Sequence, residues 1–223
     1  MKKIKIDDKS YDVPELFEEV SLGQLQDILA LNKDLPDYEY IVKKIAIVLK
    51  CDESVTRKID GNSLIKINMM CTWLGDITAS VSQAFDGATA DKDGDLVFNI
   101  DGQLYTYDHT FRIIMGQEID SSQIMQSDDA SFYQNLHRLM AIILKPAKQK
   151  SRWKRFIQKS VILSALKKKK LSAKGIPIDN IIRYEVSEYD ASTVNTRAEL
   201  FKNRLSAKDA MRCGFFLSNL KGR

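Results

Sequence analysis

Asp91-Lys92-Asp93-Gly94-Asp95 sets carboxylates at alternate positions, the way a calcium-binding loop begins. Such a loop needs glycine at its sixth position and a bidentate glutamate at its twelfth. Here glycine comes fourth and position twelve is Gly102, so the run reads as an exposed loop feeding a hairpin. His109 and His137 are the only imidazoles. His137 adjoins Arg138 on a helical stretch with no Glu or His at a ligand spacing, so it reads as a polar residue of a helix surface or core edge. Cys51, Cys71 and Cys213 are widely spaced and form no CxxC pair, and they read as small core hydrophobes. No GxGxxG, Gly-Lys or GxSxG stands in the chain, so phosphate cradles and serine elbows are not expected. Pro36-Asp37-Tyr38-Glu39 resembles a fragment of nuclease carboxylate motifs, but the lysine spacing is absent and Asp37 reads as a helix cap. The expectation is no metal, no cofactor, no catalytic residue, and a protein that is not an enzyme.

Charge is more informative. From Lys145 to Lys174 stand twelve Lys or Arg and no Asp or Glu, while the other residues carry 22 basic against 30 acidic side chains. This is an acidic protein with one basic arm, and such asymmetry points to a partner. Residues 151–170 read as a helix. One face carries Trp153, Phe156, Ile157 and Val161, with Ser160 and Ser164 between them. The other carries Arg152, Lys154, Arg155, Lys159 and Lys169, interrupted by Ile162 and Leu166. Three readings stay open: a helix docked on the acidic body, a helix that binds a partner protein, or one that binds nucleic acid phosphates. The candidate partner-binding residues are Arg152, Trp153, Arg155, Phe156, Lys159, Lys167, Lys168, Lys169 and Lys170.

Around this arm, the pattern predicts mostly helix. Residues 2–13 read as a hairpin closed by Asp7-Asp8-Lys9. Ser21-Leu22-Gly23-Gln24 has the form of a capping box, and the helix it opens ends at Leu35-Pro36. Further helices are expected over 38–49, from Asp52 to about Lys58, and from an Asn62-Ser63 cap through Leu74. Residues 86–94 read as a loop. Leu96–Ile100 and Gln103–Tyr107 alternate around Asp101-Gly102, a hairpin with a type I′ turn. Helix is expected over 111–118 after a Thr110 cap, and over 130–144, where Pro146 ends it. Residues 178–189 read as extended. Helices at 196–204 and 207–220 follow, the last capped by Ser206. The expected core includes Leu25, Ile28, Ile45, Leu49, Leu136, Leu139, Met140, Ile143, Phe201 and Phe216.

Ten glycines and four prolines disfavour a fold of many short strands, and 44% apolar residues suffice for a core. The longest apolar run, Leu139 to Leu144, falls far short of the ~20 residues of a membrane span. The charged start, Met1-Lys2-Lys3-Ile4-Lys5, does not read as a signal peptide. A soluble, intracellular protein that does not act on membranes is the expectation.

Tyr11-Asp12-Val13-Pro14 with Val20-Ser21-Leu22-Gly23-Gln24, then Asn135-Leu136-His137-Arg138-Leu139-Met140-Ala141-Ile142-Ile143-Leu144-Lys145-Pro146, then Arg197-Ala198-Glu199-Leu200-Phe201 and Gly214-Phe215-Phe216-Leu217 stand in that order. This order resembles small structural-cluster proteins of tailed bacteriophages, some described as tail assembly chaperones. The lysine-rich stretch 148–175 departs from the pattern as an insertion. The resemblance implies a non-enzymatic assembly or virion-associated protein in the cytoplasm of an infected bacterium, binding phage structural or tail proteins. The alternative is a nucleic-acid-binding protein using the helix 148–170. The expected fold is α+β, predominantly α-helical, with a helical bundle core, an N-terminal β-hairpin and a second hairpin at about 96–107. The expected organisation is a mainly helical domain over 1–145, a basic arm over 146–177, and a C-terminal segment over 178–223 packing back on the core.

Overall fold

The computed structural model describes residues 1–32, 34–74, 96–108, 115–125, 129–169 and 178–220. The fold is α+β and mostly helical. Strands β1 (Lys2–Ile6) and β2 (Lys9–Val13) form the expected hairpin, in which Lys2 pairs with Val13 and Ile6 with Lys9. Its turn residues Asp7 and Asp8 take positive φ, as a two-residue hairpin turn requires.

Helix α1 (Leu22–Leu29) opens on the capping box read from the sequence. The Gln24 N–H donates to Ser21 Oγ at 3.2 Å, and the Ser21 N–H donates to Gln24 Oε1 at 3.0 Å. The same Gln24 amide then reaches across to α2 (Asp37–Leu49), where its Nε2 donates to the carbonyls of Val48 at 2.9 Å and Ile47 at 3.2 Å. One side chain thus covers a helix start and the carbonyl end of its neighbour. Asp37 is the first helical residue and makes no side-chain cap bond, so its place favours the helix dipole rather than capping. Helix α3 (Glu53–Thr56) is a single turn. Helix α4 (Gly61–Met70) is capped by Asp60, two residues before the expected Asn62-Ser63 pair, and Asp60 accepts from the Ser63 N–H at 3.0 Å.

Strands β3 (Val97–Ile100) and β4 (Gln103–Thr106) make the second hairpin. Both Asp101 and Gly102 take positive φ, the requirement of the type I′ turn. Helix α5 (Met115–Met125) precedes α6 (Asp129–Ile143), the most strongly patterned helix of the chain. Past α6 the chain turns into β5 (Lys145–Gln149), which pairs antiparallel with β4 and completes a sheet of order β3-β4-β5-β6. Pro146 thus sits in an inner strand. It is tolerated because the β6 ladder starts only at Ala147, and the Pro146 carbonyl still accepts from the Ser187 N–H at 2.9 Å.

Helix α7 (Arg152–Lys168) and α8 (Ile178–Arg183) lie between β5 and β6 (Tyr184–Val186) in sequence. Residues 178–189 are therefore not extended throughout. Ile178 and Ile182, one helical turn apart, are both buried and draw the segment into a short helix before β6 begins. Helices α9 (Val194–Arg204) and α10 (Ala207–Leu220) close the chain, and the Asp209 N–H donates to the expected cap, Ser206.

The core gathers α1, α2, α4, α6, α9 and the inner face of the second hairpin into one cluster, with α6 against α9 as its main seam. Leu25, Ile28, Ile45, Leu49, Leu136, Leu139, Met140 and Phe201 are buried as expected, and Ile143 is half-buried. The Phe201 ring meets Tyr105 edge to face at 5.1 Å, tying α9 to the sheet. Cys71 and Cys213 are fully buried, while Cys51 is only half-buried. The expected loop at 86–94, the Asp91–Asp95 run, His109 and the Thr110 cap lie outside the described residues, as does the first part of the helix expected over 111–118.

A candidate partner-docking helix

Helix α7 starts where Ser151 accepts from the Lys154 N–H at 3.3 Å, directly after β5. None of its residues is buried. It rests chiefly on α8, and the seating is the reverse of what its amphipathic pattern suggests. Arg155, Lys159, Ile162 and Leu166 are half-buried, the last two being the apolar residues that interrupt the basic face. On this side Lys159 Nζ pairs with both carboxylate oxygens of Asp179 at 2.8 Å. The aliphatic stems of lysine and arginine can line such a seat; the Lys159 ammonium reaches its edge, whereas the Arg155 Nε is buried in it.

The face bearing the larger side chains looks outward. Trp153 is 71% exposed, Phe156 64%, Val161 62% and Ile157 46%. The Trp153 and Phe156 rings stack on each other with centroids 6.1 Å apart and an interplanar angle of 23°. Between the apolar side chains, the Ser160 hydroxyl donates back to the Phe156 carbonyl at 3.1 Å, leaving a shallow seam along Ser160 and Ser164. Large aromatics left in water at helical spacing form a patch of the kind that marks an interaction surface.

Cations rim this patch. Among the described residues, no carboxylate lies within ion-pair distance of Arg152, Lys167, Lys168 or Lys169, and Lys170 lies outside the described residues. Lys154 stands 4.0 Å from Glu185 with both groups exposed, a pair worth little in water. Of the sequence-nominated residues, the structure thus gathers Trp153 and Phe156 on one outward face, with Arg152, Lys167 and Lys168 beside or beyond them. It sends Arg155 and Lys159 to the inner side.

A second cluster of charge escaped the sequence reading. Arg197 and Lys145 are buried near the carbonyl end of α6. Arg197 Nε donates to the Ala141 carbonyl at 2.8 Å and Gln117 Nε2 to the Ile142 carbonyl at 3.1 Å. Burial lowers the pKa of both cations, and their positions favour the negative end of the helix dipole. The Tyr189 hydroxyl nearby donates to Asp120, and burial followed by that carboxylate pushes the phenol up to about 12. Arg197 and Gln117 satisfy the helix end. Arg197 and Lys145 stand in the resembling stretches, but nothing there shows this role, which depends on where α6 stops in space. His137 is half-buried at 3.1 Å from Gln26 Nε2, an edge position as expected, and burial lowers its pKa. Among the described residues, no group of three or more His, Cys, Asp or Glu is arranged to hold a metal ion, and no helix is long and apolar enough to cross a membrane.

No family model, curated protein or solved structure matches this chain.

Proposed function

We propose that this chain is a non-enzymatic interaction protein that binds another protein through the outward face of α7, acting as an assembly factor of a tailed bacteriophage of the tail assembly chaperone kind. The observation that carries the binding role is the uncovered apolar face itself, with Trp153, Phe156 and Val161 each more than three-fifths exposed beside Arg152, Lys167 and Lys168, which have no carboxylate within ion-pair distance among the described residues. A chaperone of assembly works by reversible burial of a partner's apolar segment, and a solvent-facing aromatic pair on a stable helix supplies the complementary half. The phage assignment rests on the resembling stretches. They fall on the end of β2, the start of α1, α6 running into β5, α9 and α10, so they describe the scaffold, while α7 is the part the pattern lacks. The site of action on this reading is the cytoplasm of the infected bacterium, with the finished virion as a further location.

The test is capture by the tagged protein from its native lysate, half of it nuclease-treated, with the captured chains identified. Phage tail or structural proteins retained in both halves by the wild type, and lost from the Trp153→Ala/Phe156→Ala variant, are the expected result. Capture that disappears with nuclease would transfer the function to nucleic acid binding by Lys167 to Lys170. Capture unchanged by the double variant would remove α7 from the function.

A further inference from the structure

We infer that the segment seated on α7 is an acidic amphipathic helix lying lengthwise along the Ser160–Ser164 seam. The inference rests on the proposed function and specifies its partner.

The centre line of the exposed face runs Trp153, Ser160, Ser164, with Phe156 on one side and Ile157 and Val161 on the other. Small residues on the centre line with larger ones flanking make a groove into which the ridge of another helix fits, with axes about 8–10 Å apart. The Ser160 hydroxyl is already satisfied by the Phe156 carbonyl, so an apolar side chain laid over it strands no donor. From Trp153 to Ser164 is about 16 Å of helix, enough for roughly three turns of a partner.

The rim decides the partner's charge. Arg152, Lys154, Lys167 and Lys168 border the stripe, and no acidic residue stands anywhere from Lys145 to Lys174. Carboxylates on the flanks of the incoming helix would meet these cations. Two copies of α7 face to face would instead oppose lysine to lysine, which disfavours a second copy of this chain on the same face. A bilayer would place Ser160 and Ser164 at the deepest point of insertion, where interfacial helices carry their most apolar residues. Nucleic acid would want cations all along the centre of the face, where this one has tryptophan and serine and a single lysine, Lys167, at its far end.

Trp153 provides the readout. It is exposed, whereas Trp73 is 4% exposed with its Nε1 donating to the Pro14 carbonyl, so Trp153 reports docking and Trp73 stays silent. The full-length protein is titrated with designed helical peptides that share one leucine ridge and carry Glu, Gln or Lys on the flanks. Parallel titrations use phosphatidylcholine vesicles with and without phosphatidylglycerol, a short DNA duplex, and the protein alone over a concentration series. The expected result is a blue shift of Trp153 emission with the Glu-flanked peptide, binding roughly tenfold tighter than the Gln-flanked one at low salt, since four exposed ion pairs each contribute a few tenths of a kcal/mol. That advantage should shrink as salt screens it. Ser160→Leu, which fills the seam on an exposed helix face, should weaken the Glu-flanked peptide at least about fivefold with every charge kept.

Equal binding of Glu- and Gln-flanked peptides would overturn the acidic partner and leave the docking face standing. Unchanged affinity in Ser160→Leu would overturn the seam. A shift with anionic vesicles or DNA while every peptide stays silent would overturn both this inference and the protein-binding function, and silence of all probes would overturn this inference while the lysate capture decides the function. A concentration-dependent shift of the protein alone would identify a second copy as the occupant and overturn the inference.

Discussion

Gln24→Glu exchanges one amide nitrogen for an oxygen with almost no change of shape, and it tests how α1 is fastened to α2. The wild-type amide uses Oε1 to accept from the Ser21 N–H and Nε2 to donate to the Val48 and Ile47 carbonyls. A carboxylate keeps the first bond and loses the second pair. Ile47 still accepts from the Lys50 N–H, so its loss is small, about 0.5 kcal/mol. Val48 is 2% exposed, and a buried carbonyl left without a donor costs about 1–3 kcal/mol. Placing a negative charge at the carbonyl end of α2 adds about 0.5–1 kcal/mol. The sum is about 3 kcal/mol at pH 7, a large part of the roughly 5–15 kcal/mol that holds a domain together.

Protonation should reverse most of it. Burial and the facing carbonyls raise the folded-state pKa of the introduced carboxyl above its unfolded value of about 4.3, and the protonated group can again donate to Val48. A raised folded pKa places the stabilised side of the linkage at low pH. The deficit relative to wild type is then smallest below about pH 4 and grows as pH rises through the folded-state value. Urea denaturation of both proteins at each pH, followed by circular dichroism, measures the difference. A variant as stable as wild type at pH 7, or a deficit that stays constant from pH 4 to 7, would refute the Nε2 contacts.

Phe201→Ala should cost about 3–5 kcal/mol in the same assay, because the ring is fully buried and stacked edge-on against Tyr105 across the seam between α9 and the sheet. Trp153→Ala/Phe156→Ala should cost no more than about 1–2 kcal/mol and leave the helical signal intact, since each ring has only about a third of its surface covered; a loss above about 3 kcal/mol would mean the face is structural. His137 has a pKa lowered by burial, with Lys202 and Arg138 adding to the shift and Glu199 opposing it. A depressed folded pKa makes its contribution full above about pH 6.5 and lost as pH falls, so wild-type stability should decline between pH 7 and 5 and His137→Gln should flatten that slope. The paired carboxylates Glu19, Glu39 and Asp190 lose their protection only below about pH 4.5, which keeps the two windows apart.

The local rules worked best where one residue type decides the backbone. Asp101-Gly102 supplied two positive φ angles and Ser21 and Gln24 a reciprocal cap, and the structure uses both as read. Periodicity found α6 because its apolar residues face the main seam over four turns. It misread 178–183, where six residues offer only the Ile178 and Ile182 pair and the following strand dominates the window. It could not place β5, since a strand beginning Lys145-Pro146 becomes legible only once β4 and β6 are beside it. The buried Arg197 belongs to the same class, a polar residue whose reason is a carbonyl 56 positions away.

The orientation of α7 is the most consequential difference. Hydrophobicity alone would turn Trp153, Phe156 and Val161 toward the body, and leaving rings of this size in water forgoes about 1.5–3 kcal/mol each. Against that, Ile162 and Leu166 supply a smaller seat on α8 at the edge of the sheet, to which the exposed Lys159–Asp179 pair adds little. The smaller apolar set is spent on holding the helix in place, and the larger set faces out beside cations that no described carboxylate neutralises. A segment required only to fold would gain by rotating about its axis until the aromatics were covered. The proposed acidic helix is the partner that would restore both terms, covering the rings along the serine seam and supplying the missing negative charge, and it would do so without moving the seat on α8.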